Sequence, residues 1–292
     1  MKNSFLWLLT SKILASIIGI VTAGLINRAL GPFDRGALAG IYTWATLFAV
    51  IFGFSLDSTI YHYANKDLYK DNEGSKFLTT LLLCCFYAAI GIIIFILMSK
   101  MLPNTVKITD ISLLILTMLL IFSTMVTTNL FVFYQARNKF RIVAVIGIIQ
   151  TLVYLVFIGT LYSADKLNLV AALIGYVLLQ VIGLISIIFL ALKDKLFGYF
   201  SKTLAIGMIF SGLKLHAATI ITFIYTRFNQ LILLHYWGNT EAGFFAVSLS
   251  LALAIVIVPG TFQTVLYPRV VHADDDYDVT IRSLRLVFYG WG

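Results

Sequence analysis

Long apolar runs, separated by short polar segments, make up most of the chain. A helix needs about 20 mainly apolar residues to cross the hydrocarbon core of a bilayer. By this criterion the sequence predicts eight complete membrane-spanning helices and the start of a ninth, which begins at Leu284. The complete spans cover residues 5–28, 37–64, 77–100, 111–135, 140–162, 168–192, 203–236 and 242–268. The pattern therefore predicts an all-α, polytopic transmembrane protein.

The composition excludes a soluble protein. Hydrophobic residues make up 60% of the 292 residues and charged residues only 12%, whereas soluble domains carry about 25% charge. The net charge is +8, but no basic patch on a solvated domain predicts nucleic-acid binding. The four histidines lack ligand spacing, and we find no motif for covalent chemistry. The sequence thus predicts no enzyme, no metal site and no cofactor.

Glycines mark an internal repeat. The segment from Gly31 to Gly36 aligns with the segment from Gly238 to Gly243, at an offset of 207 residues that also places Gly53 on Gly260. Six predicted spans separate the copies, so both copies cross the membrane in the same direction, as in parallel transporter repeats. We expect a six-helix lobe at residues 1–200 and a partial lobe at 201–292, and hence an incomplete molecule.

Charged residues inside apolar spans are the candidates for function. A charge at the bilayer centre costs at least about 2.5 kcal/mol, so it normally faces a partner or a water-filled cavity. The candidates are Lys12 in the first span, Arg28 at its end, Asp57 in the second span, and Lys214 and Arg227 in the seventh. Three of them have structural alternatives: Lys12 as a snorkelling side chain, Arg28 as an interface anchor and Asp57 as a salt-bridge partner.

The first span has one polar face. At 100° per residue its small and polar positions fall in a narrow stripe, while the rest is Leu, Ile and Val. This stripe comprises Lys12, Ser16, Gly19, Ala23 and Asn27. We predict that the stripe faces a cavity. The seventh span carries Lys214 and Arg227 on different faces, so a straight helix cannot turn both toward that cavity.

Several segments resemble a known exporter family. The run Asn27-Arg-Ala-Leu-Gly-Pro-Phe-Asp-Arg-Gly36 is similar to the first outer loop of polysaccharide flippases in the multidrug/oligosaccharidyl-lipid/polysaccharide exporter superfamily. Residues 225–230, 238–246 and 266–269 resemble its second lobe, although Asn229 stands where that family often has aspartate. The resemblance implies two six-helix lobes around a central cavity that work by alternating access. It also implies a location in the bacterial cytoplasmic membrane.

The resemblance implies a substrate as well. An undecaprenyl-pyrophosphate-linked oligosaccharide (an O-antigen, capsule or exopolysaccharide repeat unit) is anionic, so Lys12, Arg28, Lys214 and Arg227 become candidate substrate-binding residues. Asp57 becomes a candidate ion-coupling residue. Expected partners are the lipid-linked oligosaccharide, membrane lipid, a polysaccharide polymerase and a chain-length regulator.

Other functions remain open at this point. A lipid II flippase also needs a cationic cavity. A cation-coupled multidrug exporter of the same superfamily should show an acidic one. A membrane-embedded glycosyltransferase or polymerase should carry catalytic residues or a large outer loop, and we find neither in the sequence.

The distribution of basic residues predicts the orientation. If the N-terminus is cytoplasmic, the segments on the cytoplasmic side carry thirteen Lys and Arg residues and those on the outer side carry five. Because cytoplasmic segments are enriched in Lys and Arg, the loops around Lys70, Arg137, Lys195 and Asp275 should be cytoplasmic. Single cysteines placed there, with Cys84 and Cys85 replaced, should resist an impermeant thiol reagent in intact cells. Labelling of these loops would show the inverted orientation.

Overall fold

Eight α-helices form the part of the chain that the computed structural model describes, namely residues 2–64, 73–99, 110–256 and 260–261. They are α1 (Lys2–Gly53), α2 (Leu56–Ala64), α3 (Glu73–Met98), α4 (Ile111–Ala136), α5 (Phe140–Ser163), α6 (Leu169–Lys193), α7 (Lys202–Tyr236) and α8 (Gly238–Ile255). Six of them, α1 and α3–α7, are long and apolar enough to cross a membrane. The prediction of an all-α, polytopic protein is confirmed.

Some predicted features lie outside the described residues. These are the ninth span from Leu284, the last part of the eighth span at 262–268, and the loops at 65–72 and 100–109. The predicted cytoplasmic loop around Asp275 is outside them as well.

The first two predicted spans differ from the observed helices at their ends. Helix α1 continues through the predicted first loop and contains the first span and the larger part of the second, with a non-helical residue at Gly31. The second predicted span, 37–64, is divided by Phe54 and Ser55, so that α2 is a separate helix. Apolar length alone does not show this break, since no proline or charged residue interrupts the sequence at Phe54 and Ser55.

Local capping sets the ends of the middle helices. Asp110 and Asn168 begin α4 and α6 by accepting hydrogen bonds from Ser112 N and Ala171 N, at 2.9 and 2.8 Å, which satisfies N–H groups that lack helical partners. The C-terminal ends of α4, α5 and α6 are each followed by one residue with positive φ: Asn138, Asp165 and Lys195. The backbone then bonds back onto the last turn, which closes these helices despite the absence of glycine.

One end of the bundle gathers the loops that were predicted to share a side of the membrane. Arg137 forms an ion pair with Glu73, and Lys139 Nζ lies 2.7 Å from Asp194 Oδ2. These pairs connect the beginning of α3, the α4–α5 turn and the α6–α7 connection. The guanidinium of Arg141 also lies over the ring of Trp7, 5.0 Å from its centroid. The start of α1 therefore belongs to this same end.

The outer surface of the bundle is apolar. Large side chains such as Phe86, Val156, Ile185, Phe189 and Ile221 are exposed on several helices. An apolar exposed surface of this extent is unfavourable in water and favourable in lipid. Inside, two buried clusters fill the bundle, one around Phe77, Leu130 and Tyr134 and one around Leu38, Leu120 and Leu173.

Candidate functional site

The turn at Gly31 folds α1 into a hairpin. Gly31 has φ 67° and ψ 178°, a backbone conformation that is essentially restricted to glycine. Pro32 follows and starts the second arm, where its missing N–H has no helical partner to lose. Ser16 of the first arm and Thr43 of the second line the same cavity, although a continuous helix would place them about 40 Å apart. We call the two arms, 2–30 and 32–53, the first hairpin.

Helices α7 and α8 form a second hairpin in the same way. Gly238, the residue equivalent to Gly31 in the repeat, also has a positive φ of 83°. Across this turn, the Gln230 side chain donates from Nε2 to the backbone oxygen of Ala242 at 2.9 Å. Both copies of the repeat are thus helical hairpins that reverse at a glycine with positive φ.

The two hairpins meet at their turns, backbone against backbone. A methyl group added to Gly36 would overlap the carbonyl oxygen of Asn239 and lie 2.9 Å from Gly243 N. A methyl group added to Gly243 would overlap the carbonyl oxygen of Pro32 and lie 3.1 Å from Gly36 N. Pro32 and Asn239 are themselves equivalent at the offset of 207, so the contact is the same from either side. We call it the turn contact.

A cavity of about 320 Å³ lies between the hairpins. Much of its lining comes from equivalent positions of the two copies, which places the cavity on the local two-fold axis of the repeat. The equivalent pairs are Ile20 and Arg227, Ala23 and Gln230, Ala39 and Ala246, Tyr42 and Leu249, and Thr43 and Ser250. We call this space the hairpin cavity.

The hairpin cavity is cationic. Arg35 and Arg227 both line it, and its lining among the described residues contains no Asp or Glu. Arg35 is only 7% exposed, and its Nε donates to Asn27 Oδ1 at 2.8 Å. Arg227 is half-buried and has no hydrogen-bond or ion-pair partner in the described part of the chain. Two guanidinium groups therefore reach the cavity without a carboxylate in its lining to neutralise them.

Three tyrosines add hydroxyl groups to the hairpin cavity. The rings of Tyr42 and Tyr176 lie 5.1 Å apart, and those of Tyr154 and Tyr176 lie 5.6 Å apart. Gln230 is 2% exposed, and its Oε1 has no hydrogen-bond partner in the described residues. The cavity thus offers aromatic faces, hydroxyl groups and an unused amide oxygen beside its two arginines.

The predicted site residues occupy different places. Arg227 lines the hairpin cavity, as do Ser16, Gly19 and Ala23 of the stripe on the first span. Lys12 is half-buried one helical turn before Ser16, outside the lining. The structure thus brings part of the stripe and Arg227 together.

The remaining candidates lie away from the hairpin cavity. Arg28 and Lys214 are exposed, and neither lines it. Asp57 lines a separate cavity at the break between α1 and α2. No cation lies within ion-pair distance of Asp57 among the described residues, so the salt-bridge alternative finds no partner there.

Arg35 and the tyrosines were not among the sequence-based candidates. Arg35 was counted with the outer loop because it precedes the predicted second span. The signal was nevertheless present: Arg35, Ala39, Tyr42 and Thr43 follow a spacing of four, three and one residues, which forms one helix face. The periodicity of the second span therefore predicts this face.

Comparisons with known proteins agree with this architecture. A family model described as "Polysaccharide biosynthesis protein" matches residues 1–273. The crystal structure of a mutant of the MATE transporter VcmN from Vibrio cholerae is similar, with a TM-score of 0.70 and 13% identity, over 97% of this chain and 68% of that one. The eukaryotic MATE transporter AtDTX14 gives a TM-score of 0.56 and 12% identity, over 92% and 64%. At these identities the likeness concerns the fold. A comparison with curated proteins gives no match.

The turn contact leads to a stability prediction. Replacing Gly36 by alanine should lower the free energy of unfolding by about 1–3 kcal/mol, because the new methyl group forces the two backbones apart. Gly24→Ala is the matched control: it lies in the same helix, and a methyl group there meets no atom within 4 Å. That variant should be neutral or stabilised by up to about 1 kcal/mol. Thermal unfolding in detergent measures both, and equal stability of the two variants would contradict the turn contact.

Proposed function

Since the chain belongs to the polysaccharide biosynthesis protein family, we propose that it is a flippase for an undecaprenyl-pyrophosphate-linked oligosaccharide. The cargo would be an O-antigen, capsule or exopolysaccharide repeat unit, carried across the bacterial cytoplasmic membrane by alternating access. The coarser part of this statement, a membrane transporter of the exporter superfamily, follows from the family and the fold. The substrate is the proposal.

The observation that carries the proposal is the pair of arginines in the hairpin cavity. A pyrophosphate is an anion with several acceptor oxygens, and the planar guanidinium group binds such oxygens through two parallel hydrogen bonds. Charge attraction is stronger in a partly buried site than in water. Because no carboxylate among the described residues lines the cavity beside Arg35 and Arg227, the site favours an anionic guest.

The remaining lining suits a sugar. Sugar hydroxyls both donate and accept hydrogen bonds, as do the hydroxyl groups of tyrosine, serine and threonine. Tyr42, Tyr154 and Tyr176 supply such groups together with flat apolar ring faces. The cavity volume of about 320 Å³ lies at the lower end of the range for small-molecule sites. A longer oligosaccharide would therefore need the hairpins to move apart.

The first arm of α1 separates the cavity from lipid. Its cavity-facing residues alternate with large exposed side chains outside the lining, namely Ile13, Leu14, Ile17 and Val21. A polyprenyl tail would contact this apolar side while the headgroup occupied the cavity, so each part of the substrate would meet a surface of its own polarity.

The proposal gives the sequence-based candidates unequal roles. Arg227, joined by Arg35, would hold the pyrophosphate. Lys12, one turn further along the stripe, would extend the positive charge toward the end of the bundle that carries Trp7 and Arg137. Arg28 and Lys214 remain candidates on sequence grounds only, because neither lines the cavity. Asp57 remains the candidate for ion coupling.

The two alternative transport functions differ from each other in the charge of the substrate. A lipid II flippase would use the same pyrophosphate chemistry, so the hairpin cavity supports it equally and the attached sugar decides between the two. A cation-coupled multidrug exporter for cationic compounds needs acidic groups in its cavity, and the lining described here has none.

The proposed process is transport without a covalent step. A glycosyltransferase or polymerase would need groups that transfer protons at the sugar, typically carboxylates, and the hairpin cavity offers arginines and tyrosines instead. A polysaccharide polymerase and a chain-length regulator would then act on the exported product, which makes them the expected functional partners.

The central test changes the charge of the cavity. In a flippase-deficient bacterial strain, Arg227→Ala and Arg35→Ala should each reduce export of the repeat unit about tenfold or more, since a hydrogen bond to a charged group contributes about 1.5–3 kcal/mol. Arg227→Lys should retain part of the activity, because the charge remains while the two-pronged geometry is lost. Lys12→Ala should also reduce export. Export is measured as surface polysaccharide per amount of protein in the membrane.

Lys166→Ala serves as the matched control, because Lys166 is an exposed cation in the α5–α6 connection. It should export normally. Normal export by both Arg227→Ala and Arg35→Ala would contradict the cationic site. Loss of export of lipid II alone, with repeat units unaffected, would transfer the function to the lipid II alternative.

A further inference from the structure

A second cavity lies at the break that follows the first hairpin. Helix α1 ends at Gly53, and Phe54 and Ser55 have φ of 45° and 50° before α2 begins at Leu56. Two consecutive non-glycine residues in the left-handed region are unfavourable. The last carbonyl groups of α1 also lose their helical partners at the break. Broken helices inside transporters characteristically expose such carbonyl groups to ions.

The cavity at this break has a volume of about 160 Å³, and seven of its twelve lining residues have an oxygen atom in the side chain. We call it the break cavity. Its oxygen-bearing side chains come from α1, α2, α4 and α7 and from the break itself: Thr46, Ser55, Asp57, Thr124, Thr128, Asn129 and Thr219. Five hydroxyl groups, one amide and one carboxylate therefore surround a space that is large enough for roughly five water molecules.

Several of these oxygens have no partner. Asn129 is 7% exposed, and its Nδ2 donates to Met125 O at 2.8 Å, which leaves Oδ1 as a buried acceptor without a hydrogen bond in the described residues. Thr124 Oγ1 is likewise buried and unpaired there. Thr46 donates its proton to the backbone of Tyr42 and Thr43, so only its lone pairs remain for a guest.

The charge in the break cavity is a single negative one. Asp57 lies in the first turn of α2, near the positive end of the helix dipole. No Lys, Arg or His is part of the lining, and none pairs with Asp57 among the described residues. Buried unpaired acceptors together with one carboxylate attract a cation that prefers oxygen ligands. A divalent ion is normally held by several carboxylates, whereas one negative charge balances a monovalent ion.

We infer that the break cavity binds a monovalent metal cation of the Na⁺ type, held by the Asp57 carboxylate, Asn129 Oδ1 and threonine hydroxyl oxygens. Binding itself does not depend on the proposed function, whereas its use to drive export rests on it. The site adds further oxygen ligands to the hypothesis that Asp57 is the ion-coupling residue. Its lining does not include the arginines of the hairpin cavity.

The break cavity lies at a contact between helices, so a bound ion would affect how these helices pack. Thr219 of α7 lies 2.6 Å from Ser55, Oγ1 to Oγ, and the backbone of α7 at Gly212 packs directly on the carbonyl oxygen of Phe54. The break cavity thus lies where the first hairpin and α2 meet the second hairpin. An ion bound to Asp57 and Asn129 would stabilise this particular arrangement of α2, α4 and α7.

The test measures ion binding directly on the purified protein. NaCl, compared with choline chloride at the same ionic strength and pH, should raise the thermal unfolding temperature with a saturable dependence, and radioactive ²²Na⁺ should bind to the protein. Asp57→Asn should remove both effects. Thr46→Val, which keeps the size of the side chain, should raise the half-saturating Na⁺ concentration several-fold and keeps the test valid if Asp57→Asn does not fold. Asp165→Asn is the control, since this exposed carboxylate lies in the α5–α6 connection.

Two results would overturn the site. One is the absence of any Na⁺-specific stabilisation of the unchanged protein. The other is a Na⁺ effect that is undiminished in both Asp57→Asn and Thr46→Val, which would show that Asp57 does not bind Na⁺. Na⁺ binding in a protein that exports no lipid-linked oligosaccharide would leave the site standing and would count against the proposed function alone.

Discussion

The close approach of two backbones at the turn contact holds the rest of the structure in place. Because Gly36 and Gly243 have no side chains, the backbones of the two hairpins come into direct contact. Gly36 packs on the carbonyl group of Asn239, and Gly243 packs on the carbonyl group of Pro32. The hairpin cavity lies between these same two hairpins. The turn contact also aligns the two hairpins with each other, since each half of it is formed by equivalent residues. A bulkier residue at either glycine would change the shape of the cavity, because Ala39 lines it within one helical turn of Gly36 and Ala246 within one turn of Gly243.

Part of this arrangement could be predicted from the sequence, because it depends on local signals. Apolar length predicts the helices, and the spacing of Ser16, Gly19 and Ala23 predicts a cavity-facing stripe. The repeat was visible because glycine is required both at Gly31 and Gly238, where φ is positive, and at the turn contact. In these cases glycine adopts a backbone conformation, or allows a backbone contact, that few other residues can, so its position in the sequence predicts the geometry.

Other features could not be predicted in this way, because they arise from contacts between distant segments. The break at Phe54 and Ser55 follows no proline or charged residue, and it is accommodated by the packing of α7 at Gly212. The sequence predicts Arg35 to be a loop residue, whereas the turn at Gly31 places it beside Asn27 and in the lining of the hairpin cavity. The unpaired oxygen of Asn129 is likewise a property of the folded molecule, since in sequence it is one polar residue within an apolar helix.

The two arginines of the hairpin cavity occupy non-equivalent positions in the repeat. Arg35 corresponds to Ala242, and Arg227 corresponds to Ile20, so each hairpin contributes one cation, and the equivalent position of the other hairpin holds a neutral residue. Under the proposed function, a diphosphate that bridged both guanidinium groups would be a two-point ligand with one anchor on each hairpin. If the hairpins moved apart, one anchor would be lost and the effective concentration of the second would fall with distance. Release of the anion would then follow from the geometry of opening, without any change in the chemistry of either arginine.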